Sequence, residues 1–184
     1  MTAIARSAVL AHLTRGDILE SVHTGAAVVC TADGAVVEAF GDPDRLILPR
    51  SACKMLQALP LVESGAADAA GLGPEELALA CASHSGAAMH TEGVGRWLEH
   101  LGADESALRC GAHDPLDPEA LEGLRAAGAA ADQRHNNCSG KHAGFVTVAR
   151  HLGAGPDYVA LDHPVQRAVR DAIAEVSGSE PAGH

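Results

Sequence analysis

The first forty residues alternate between short apolar runs and turn residues. The apolar runs cover residues 8–13, 18–23, 26–31 and 35–40. Turn-forming residues separate the later runs, with Thr24-Gly25 before the third run and Ala32-Asp33-Gly34 before the fourth. Short apolar runs separated by such turns are typical of neighbouring antiparallel strands. This pattern predicts an antiparallel meander at the N-terminal end of the chain.

The period of the pattern changes after Gly41-Asp42-Pro43, and the rest of the chain predicts helices. The first helix carries an apolar stripe from Ala52 to Val62, although Pro60 is expected to kink or restart it. A first turn at Pro74-Glu75-Glu76 predicts a helix over 77–82, and Asp162 is the predicted N-cap of the last helix. Helices are also predicted over residues 91–101, 118–127, 140–152 and 164–176. Strands followed by helices predict an α+β fold, with helices on one face of an antiparallel sheet.

Composition narrows the classes of protein that fit. The 184 residues are enough for a single domain with a real core, and apolar residues make up 47% of them while aromatic residues make up only 2%. The core is therefore expected to consist of alanine, valine and leucine. A net charge of −11 and a pI near 5.3 argue against a nucleic-acid partner, which would require a basic face.

The chain also lacks the usual signals for membranes and for oxidising compartments. No apolar run approaches the roughly 20 residues that a membrane-spanning helix needs, and no cleavable signal sequence opens the chain. The five cysteines are an odd number without C-x-x-C spacing, which predicts reduced thiols rather than a disulfide framework. These features predict a cytoplasmic protein that binds no membrane.

Ser51 and Lys54 form an S-x-x-K pattern at a predicted helix start. Residues three apart lie on neighbouring positions of one helix face, so a hydrogen bond between the two side chains is geometrically possible. A serine hydroxyl is a poor nucleophile without a base, and a lysine can be that base when its surroundings favour the neutral amine. The competing interpretation is an N-cap serine followed by a solvated lysine.

Two further segments carry candidate chemistry. The segment CASHSG, residues 81–86, places Ser83 where a helix gives way to a loop, so its hydroxyl could relay a proton or could cap the helix end. The segment QRHNNCSGKHAGFV, residues 133–146, combines Cys138, Lys141 and His142 at the start of a helix. Cys138 could be a nucleophile, a metal ligand or a small buried apolar residue. By ordinary ligand preferences, one cysteine and one lysine make a poor zinc site.

Taken together, these segments resemble one family. LPRSACK, CASHSG, CGAHDP, NCSGKHAGF and DHPVQRAV occur in an order and spacing that resemble the rhizobial-type (thermolabile, zinc-dependent) L-asparaginase family, of the asparaginase II type. The resemblance implies hydrolysis of L-asparagine to L-aspartate and ammonia. It also implies a fold related to serine β-lactamases and glutaminases, in a protein that is usually a homodimer.

The resemblance assigns roles to particular residues. Ser51 is expected to form the acyl intermediate, Lys54 to act as its general base, and Ser83 to relay a proton, so that Ser/Lys dyads carry the reaction. Arg50 and His142 are expected to line the substrate pocket. Zinc is expected to be held by two cysteines and one lysine, of which Cys138 and Lys141 match two, with a structural or substrate-ordering role.

The chain also departs from the family pattern. The third zinc ligand and a second catalytic lysine would lie beyond His184, and Ala87-Ala88-Met89 differs from the expected loop. We therefore expect the 184 residues to form the N-terminal portion of an asparaginase-like domain, completed by a homo-oligomeric or complementing chain. Alternative interpretations are a glutaminase, a penicillin-recognising acyl-serine enzyme, or an inactive truncated interaction domain.

Overall fold

The computed structural model describes residues 7–179 and shows an α+β protein, which confirms the predicted fold class. It divides into two compact units, one ending at Leu48 and the other beginning at Pro49. The first unit contains strands, and the second contains helices. The residues of all predicted site segments from Pro49 onwards belong to the helical unit.

The first unit consists of two β-hairpins. Strand β1 (Ala8–Arg15) pairs antiparallel with β2 (Ile18–Gly25), and β3 (Ala27–Cys30) pairs antiparallel with β4 (Val36–Phe40). The four predicted strands are present, but the prediction of one continuous meander is wrong, because the hairpins form two separate two-stranded sheets. The physical reason is the connection between β2 and β3: a single residue, Ala26, is too short for the two-residue turn that a tight hairpin requires.

The four strands are at least partly exposed along their whole length. Isolated two-stranded hairpins are at best marginally stable in water, because they bury too little apolar surface. The exposed large apolar side chains of these strands are Val9, Leu10, Leu13, Ile18, Leu19, Val22, Val28, Val29, Val36, Val37 and Phe40. This unit therefore presents an apolar surface to its surroundings.

Within residues 49–179, seven α-helices form the second unit. Their bounds are α1 Lys54–Glu63, α2 Ala66–Ala69, α3 Pro74–Cys81, α4 Ala88–His100, α5 Pro118–Ala127, α6 Ser139–His151 and α7 Pro164–Ser177. Short 3-10 turns lie at Arg50–Cys53, Glu105–Ala107 and Gln133–His135. None of the helices within residues 7–179 is both long and apolar enough to cross a lipid bilayer.

The predicted helices are present, but some of them begin or end at other residues than predicted. The structure confirms α5 over its full predicted length, whereas α4 begins at Ala88, earlier than predicted, and the short α2 was not predicted. Pro60 does not interrupt α1, which runs through it to Glu63. Asp162 is not the N-cap of α7. That place is taken by His163, whose side chain accepts a hydrogen bond from the Val165 N–H.

Helix α6 lies at the centre of the helical unit. Ten of its residues are buried, which explains why it lacks a polar face. Its Gly140 touches the end of α3, because a Cβ at this position would overlap the Leu79 carbonyl oxygen and lie 2.7 Å from the carbonyl carbon. Further along, the Trp97 indole donates a hydrogen bond of 3.1 Å to the Thr147 hydroxyl, so a buried polar pair is satisfied. The close contact at Gly140 holds the end of α3 beside the start of α6.

Candidate active site

Lys54 is the centre of a buried polar cluster. It begins α1, and its side chain is only 2% exposed. Its amine lies 2.8 Å from the Ala82 carbonyl oxygen, 2.8 Å from the Ser83 hydroxyl and 3.1 Å from the Asn137 carbonyl oxygen. Three distant segments therefore converge on one nitrogen: the start of α1, the loop after α3 and the loop before α6.

The partners of Lys54 allow proton transfer without movement of heavy atoms. As an ammonium, Lys54 donates all three of its N–H groups, one to each partner. As a neutral amine it has two N–H groups, which the carbonyls of Ala82 and Asn137 take, because a carbonyl can only accept. The nitrogen lone pair then faces the Ser83 hydroxyl, which can donate to it. Lys54 and Ser83 thus form a pair in which a proton can pass from oxygen to nitrogen.

Ser51 is placed differently from the other predicted site serine. It is exposed, and its hydroxyl makes no hydrogen bond to any residue between 7 and 179. It lies in the 3-10 turn Arg50–Cys53, just before α1, while the Lys54 side chain enters the protein interior. The structure therefore pairs Lys54 with Ser83 and leaves the Ser51 hydroxyl open to an incoming molecule.

Arg50, directly before Ser51, has a left-handed backbone. Its φ is +50°, a conformation that residues other than glycine rarely adopt and that often occurs at functional sites. The Cys53 thiol donates a 3.0 Å hydrogen bond to the Arg50 carbonyl and closes the turn. The Arg50 side chain is exposed, on the same short turn as Ser51.

The loop that carries Ser83 is fixed on both sides. The His84 N–H donates to the Asn137 carbonyl at 3.2 Å, and the Ser85 carbonyl accepts from the Asp117 N–H at 2.9 Å. Gly86 has a φ of +78°, and a Cβ there would lie 2.9 Å from both the His135 carbonyl oxygen and the Pro115 side chain. Close backbone packing of this kind requires glycine.

The His84 side chain is buried behind Ser83. Its Nδ1 accepts a 3.1 Å hydrogen bond from the Gly86 N–H, so in the neutral ring the proton is on Nε2. Nε2 then donates to the Ser139 hydroxyl at 2.9 Å, and that hydroxyl donates to the Arg134 carbonyl at 2.9 Å. Burial, together with neighbouring cations, lowers the pKa of His84 to about 4.

Asn136 joins the CGAHDP segment to the start of α6. Its side-chain amide donates to the carbonyls of Cys110 and Gly111, both at 2.9 Å, and its side-chain oxygen accepts from the Cys138 N–H at 2.8 Å. Burial raises the pKa of Cys110 to about 11, so its thiol stays protonated near neutral pH. Hydrogen bonds thus link four of the five segments of the resemblance: LPRSACK, CASHSG, CGAHDP and NCSGKHAGF.

Cys138 and Lys141 are the two residues of the predicted zinc site. They lie one turn apart at the start of α6, with Cys138 as the N-cap. Desolvation lowers the pKa of Lys141; the negative charge that Cys138 carries as a thiolate acts in the opposite direction, and the charge of the Lys54 ammonium lowers the pKa further. A lysine must be a neutral amine to bind a metal, so desolvation favours that role.

The donor atoms fit part of a zinc site. A thiolate and a neutral amine are both acceptable donors, yet zinc usually has at least three protein ligands. Among residues 7–179, no group of three or more His, Cys, Asp or Glu side chains could hold a metal ion. The Lys141 amine also lies 5.3 Å from the centre of the Phe145 ring, which would suit a protonated lysine.

His142 is buried in an aromatic cluster rather than exposed. Its Nδ1 is 3.0 Å from the Tyr158 hydroxyl, and its ring meets those of Phe145 and Tyr158 at centroid distances of 5.8 and 5.6 Å. Desolvation, with the charges of Lys141 and Lys54, lowers the pKa of His142 to about 3. His142 is therefore neutral near pH 7, and its contact with substrate stays a prediction.

Some residues of this cluster are not evident from sequence patterns. The sequence patterns assign no role to His84 or Asn136, because the importance of both residues depends on their hydrogen-bond partners. One available signal is the distribution of basic residues: the chain has only two lysines, Lys54 and Lys141, against eleven arginines. Lysine is normally a common surface residue. Its restriction to two positions, both within this cluster, points to specific roles for the amines.

Comparison with known proteins supports the resemblance. A comparison with curated proteins found no significant match. The sequence profile described as L-asparaginase II matches residues 11–184, which is nearly the whole chain. The chain therefore belongs to the L-asparaginase II family, whose description indicates an amidohydrolase of the asparaginase type.

Proposed function

We propose that this protein hydrolyses L-asparagine to L-aspartate and ammonia through an acyl-serine intermediate. Membership of the L-asparaginase II family supports the amide chemistry. The observation that carries the mechanism is the position of the Lys54 amine, 2.8 Å from the Ser83 hydroxyl and bonded to two carbonyl oxygens. A neutral amine held in this way has its lone pair aimed at a hydroxyl, which is the arrangement that a general base needs.

In the proposed acylation step, the exposed hydroxyl of Ser51 attacks the side-chain amide carbon of asparagine. Ser83 passes its own proton to the Lys54 amine and takes the proton of Ser51, so the charge stays within the cluster. The Ser51 oxygen–carbon bond forms, the carbon–nitrogen bond breaks, and the ammonium of Lys54 returns a proton through Ser83 to the departing ammonia. Water then hydrolyses the ester and regenerates the Ser51 hydroxyl.

Arg50 and His142 are the proposed substrate contacts. The exposed Arg50 guanidinium, next to Ser51, is suited to bind the α-carboxylate of the amino acid through paired hydrogen bonds. His142 stays neutral and can offer a hydrogen bond without adding charge near Lys54. Zinc, when bound, would be held by Cys138 and Lys141 and would supply positive charge that orders polar groups. No proton transfer in this scheme depends on the metal.

The exposed apolar strands support a partner for this chain. They carry large apolar side chains over both hairpins, a surface that proteins commonly cover by association. We propose a homo-oligomer or a complementing chain as the active form. Sedimentation of the purified chain, alone and with substrate, tests this proposal.

Serine substitutions test the mechanism. We expect Ser51→Ala to lower kcat by about 10³-fold or more and Ser83→Ala by about 10²-fold, because one loses the nucleophile and the other the proton relay. Ser177→Ala, at the exposed end of α7, is the matched control and should leave kcat unchanged. The assay is ammonia release, with L-glutamine and benzylpenicillin as competing substrates. Full activity in Ser51→Ala would exclude Ser51 as the nucleophile.

A further inference from the structure

His84 and Ser83 are neighbours in the chain but face opposite surroundings. Ala82, the C-cap residue of α3, has an extended backbone with a ψ of 157°. Successive side chains of an extended segment point to opposite sides. Ser83 is accordingly exposed and meets Lys54 at the surface end of the cluster, whereas His84 is only 5% exposed. Hydrogen bonds that hold the His84 ring therefore also fix the direction of the Ser83 side chain.

Three hydrogen bonds hold His84. Its backbone N–H donates to the Asn137 carbonyl at 3.2 Å, its ring Nδ1 accepts from the Gly86 N–H at 3.1 Å, and its ring Nε2–H donates to the Ser139 hydroxyl at 2.9 Å. The Asn137 carbonyl is also an acceptor for the Lys54 amine, at 3.1 Å. The Asn137 carbonyl thus accepts hydrogen bonds from both the His84 backbone N–H and the Lys54 amine, which also contacts the Ser83 hydroxyl.

We propose that His84, as the neutral Nε2–H tautomer, is the positioning residue that holds the Ser83 hydroxyl and the Asn137 carbonyl against the Lys54 amine. This inference rests on the proposed function for its catalytic consequence. The structural part of the inference concerns the tautomer of His84 and its effect on the surroundings of the Lys54 amine. That part does not depend on which amide is hydrolysed.

The role requires the two nitrogens of a histidine. The ring must accept a hydrogen bond at one nitrogen and donate one at the other, on different sides of a planar group. Lysine and arginine lack an acceptor, and the amide of asparagine or glutamine carries both functions on one carbon. A phenylalanine would preserve the stacking but make neither hydrogen bond. His84→Phe therefore separates ring packing from hydrogen bonding.

The surroundings of His84 favour a neutral ring. The groups facing it are His90, Lys54, His113 and His135, all of which are cations or can become cations. The rings of His84 and His90 stack at 5.0 Å with an angle of 16° between their planes, and the buried Nδ1 of His90 has no hydrogen-bond partner within the described residues. A second positive charge at His84 would be repelled by these neighbours and would lose its Nδ1 acceptor.

Nuclear magnetic resonance of the full chain tests the tautomer directly. In protein labelled with 15N-histidine, we expect the His84 imidazole, identified as the ring whose signals vanish in His84→Phe, to show the neutral Nε2–H pattern between pH 7.5 and about pH 5. A ring that titrates near the ordinary histidine value, or one with its proton on Nδ1, would overturn the proposal.

A second measurement follows Lys54. Because the chain has two lysines, 13C-lysine labelling gives two side-chain Cε signals, which can be assigned with Lys141→Arg. We expect His84→Phe and Ser139→Ala to shift the Lys54 signal, whereas His23→Phe, at an exposed position of β2, should not. If His84→Phe fails to fold, Ser139→Ala removes the same hydrogen bond with a smaller change. An unmoved Lys54 signal in the folded variant refutes the positioning role.

Kinetics then separate this inference from the proposed function. We expect His84→Phe to lower kcat by about 10-fold to 100-fold with KM changed less than about twofold, because the base is misaligned while the substrate contacts remain. A shifted Lys54 signal with unchanged kcat would retain the positioning role and contradict the catalytic role of the Lys54–Ser83 pair. Unchanged kcat with an unchanged signal would contradict the inference itself.

Discussion

The Lys54 amine and the Ser83 hydroxyl are 2.8 Å apart, although 29 positions separate the two residues in the chain. The hydroxyl of Ser51, only three residues before Lys54, makes no hydrogen bond to the described residues, although the Ser51 carbonyl accepts one from the Lys54 backbone N–H. The base at the start of α1 is therefore directed at the loop after α3 and not at its own turn. The proposed site depends on how α3 and α6 bring their ends to α1.

Removing the amine should affect both activity and stability. We expect Lys54→Met to abolish measurable ammonia release and to lower the free energy of unfolding by about 1–3 kcal/mol, because the Ala82 carbonyl loses its hydrogen-bond donor. Arg125→Met, which removes an exposed cation from α5, is the control and should change stability by less than about 0.5 kcal/mol. Urea unfolding of both variants measures the difference. Equal midpoints would argue against the hydrogen-bonded role of the amine.

Two glycine substitutions should have opposite effects. Gly140→Ala places a methyl group on the Leu79 backbone and should destabilise the protein by about 1–3 kcal/mol or more, since backbone atoms cannot give way cheaply. Gly123→Ala in α5 meets no atom within 4 Å and should stabilise it by about 0.5–1 kcal/mol. Thermal unfolding of the two variants measures both changes in stability. A stabilised Gly140→Ala variant would contradict the close contact between α3 and α6.

Stability should fall as the pH is lowered below the ordinary histidine range. The pKa values of His84 and His142 are lowered to about 4 and about 3, so between these values and about 6.5 the unfolded chain binds protons that the folded chain does not. Each histidine can contribute a slope of up to about 1.4 kcal/mol per pH unit in that interval, and none above it. Denaturant titrations from pH 8 to pH 4 measure this slope.

Single substitutions identify the source of that slope. His84→Phe and His142→Phe should each flatten the acid side of the stability profile, because neither ring can then be protonated in the unfolded chain. His12→Phe, at an exposed position of β1, should leave the shape unchanged. A profile that keeps its full slope in both buried variants would show that other groups are responsible.

Zinc binding should be visible at one lysine. We expect added zinc to shift the Cε signal of Lys141 and release protons, since a bound amine must be neutral, and a chelator should reverse the shift. Cys138→Ser should lower the zinc stoichiometry, whereas Cys30→Ser, on the exposed strand β3, should not. An unmoved Lys141 signal at saturating zinc would contradict its assignment as a ligand.

Local pattern predicts the elements of this fold better than their pairing. Alternation over 8–40 predicts four strands, but it cannot reveal that one residue between β2 and β3 prevents a continuous meander. Proline and acidic residues at Pro74-Glu75-Glu76 predict the start of α3 correctly. At α7 the histidine next to the proline takes the capping role, because the His163 imidazole nitrogen can reach the Val165 N–H.

The same limit applies to the proposed site: the sequence identifies its residues better than the contacts between them. The motifs and the resemblance select Ser51, Lys54, Ser83, Cys138 and Lys141 as the residues of interest. They do not specify that Lys54 contacts Ser83, because that contact is made by helix packing at Gly140 and by the carbonyl of Asn137. The function of His84 is equally hidden, since it depends on which nitrogen carries the proton.

The two-lysine composition has a practical consequence for handling this protein. Coupling to resins, fluorescent dyes or crosslinkers usually relies on ε-amines scattered over a surface, and here the only two such amines belong to the proposed site. A reagent that reaches either of them should abolish the proposed activity while it labels the protein. Attachment is therefore better directed to the exposed thiol of Cys30.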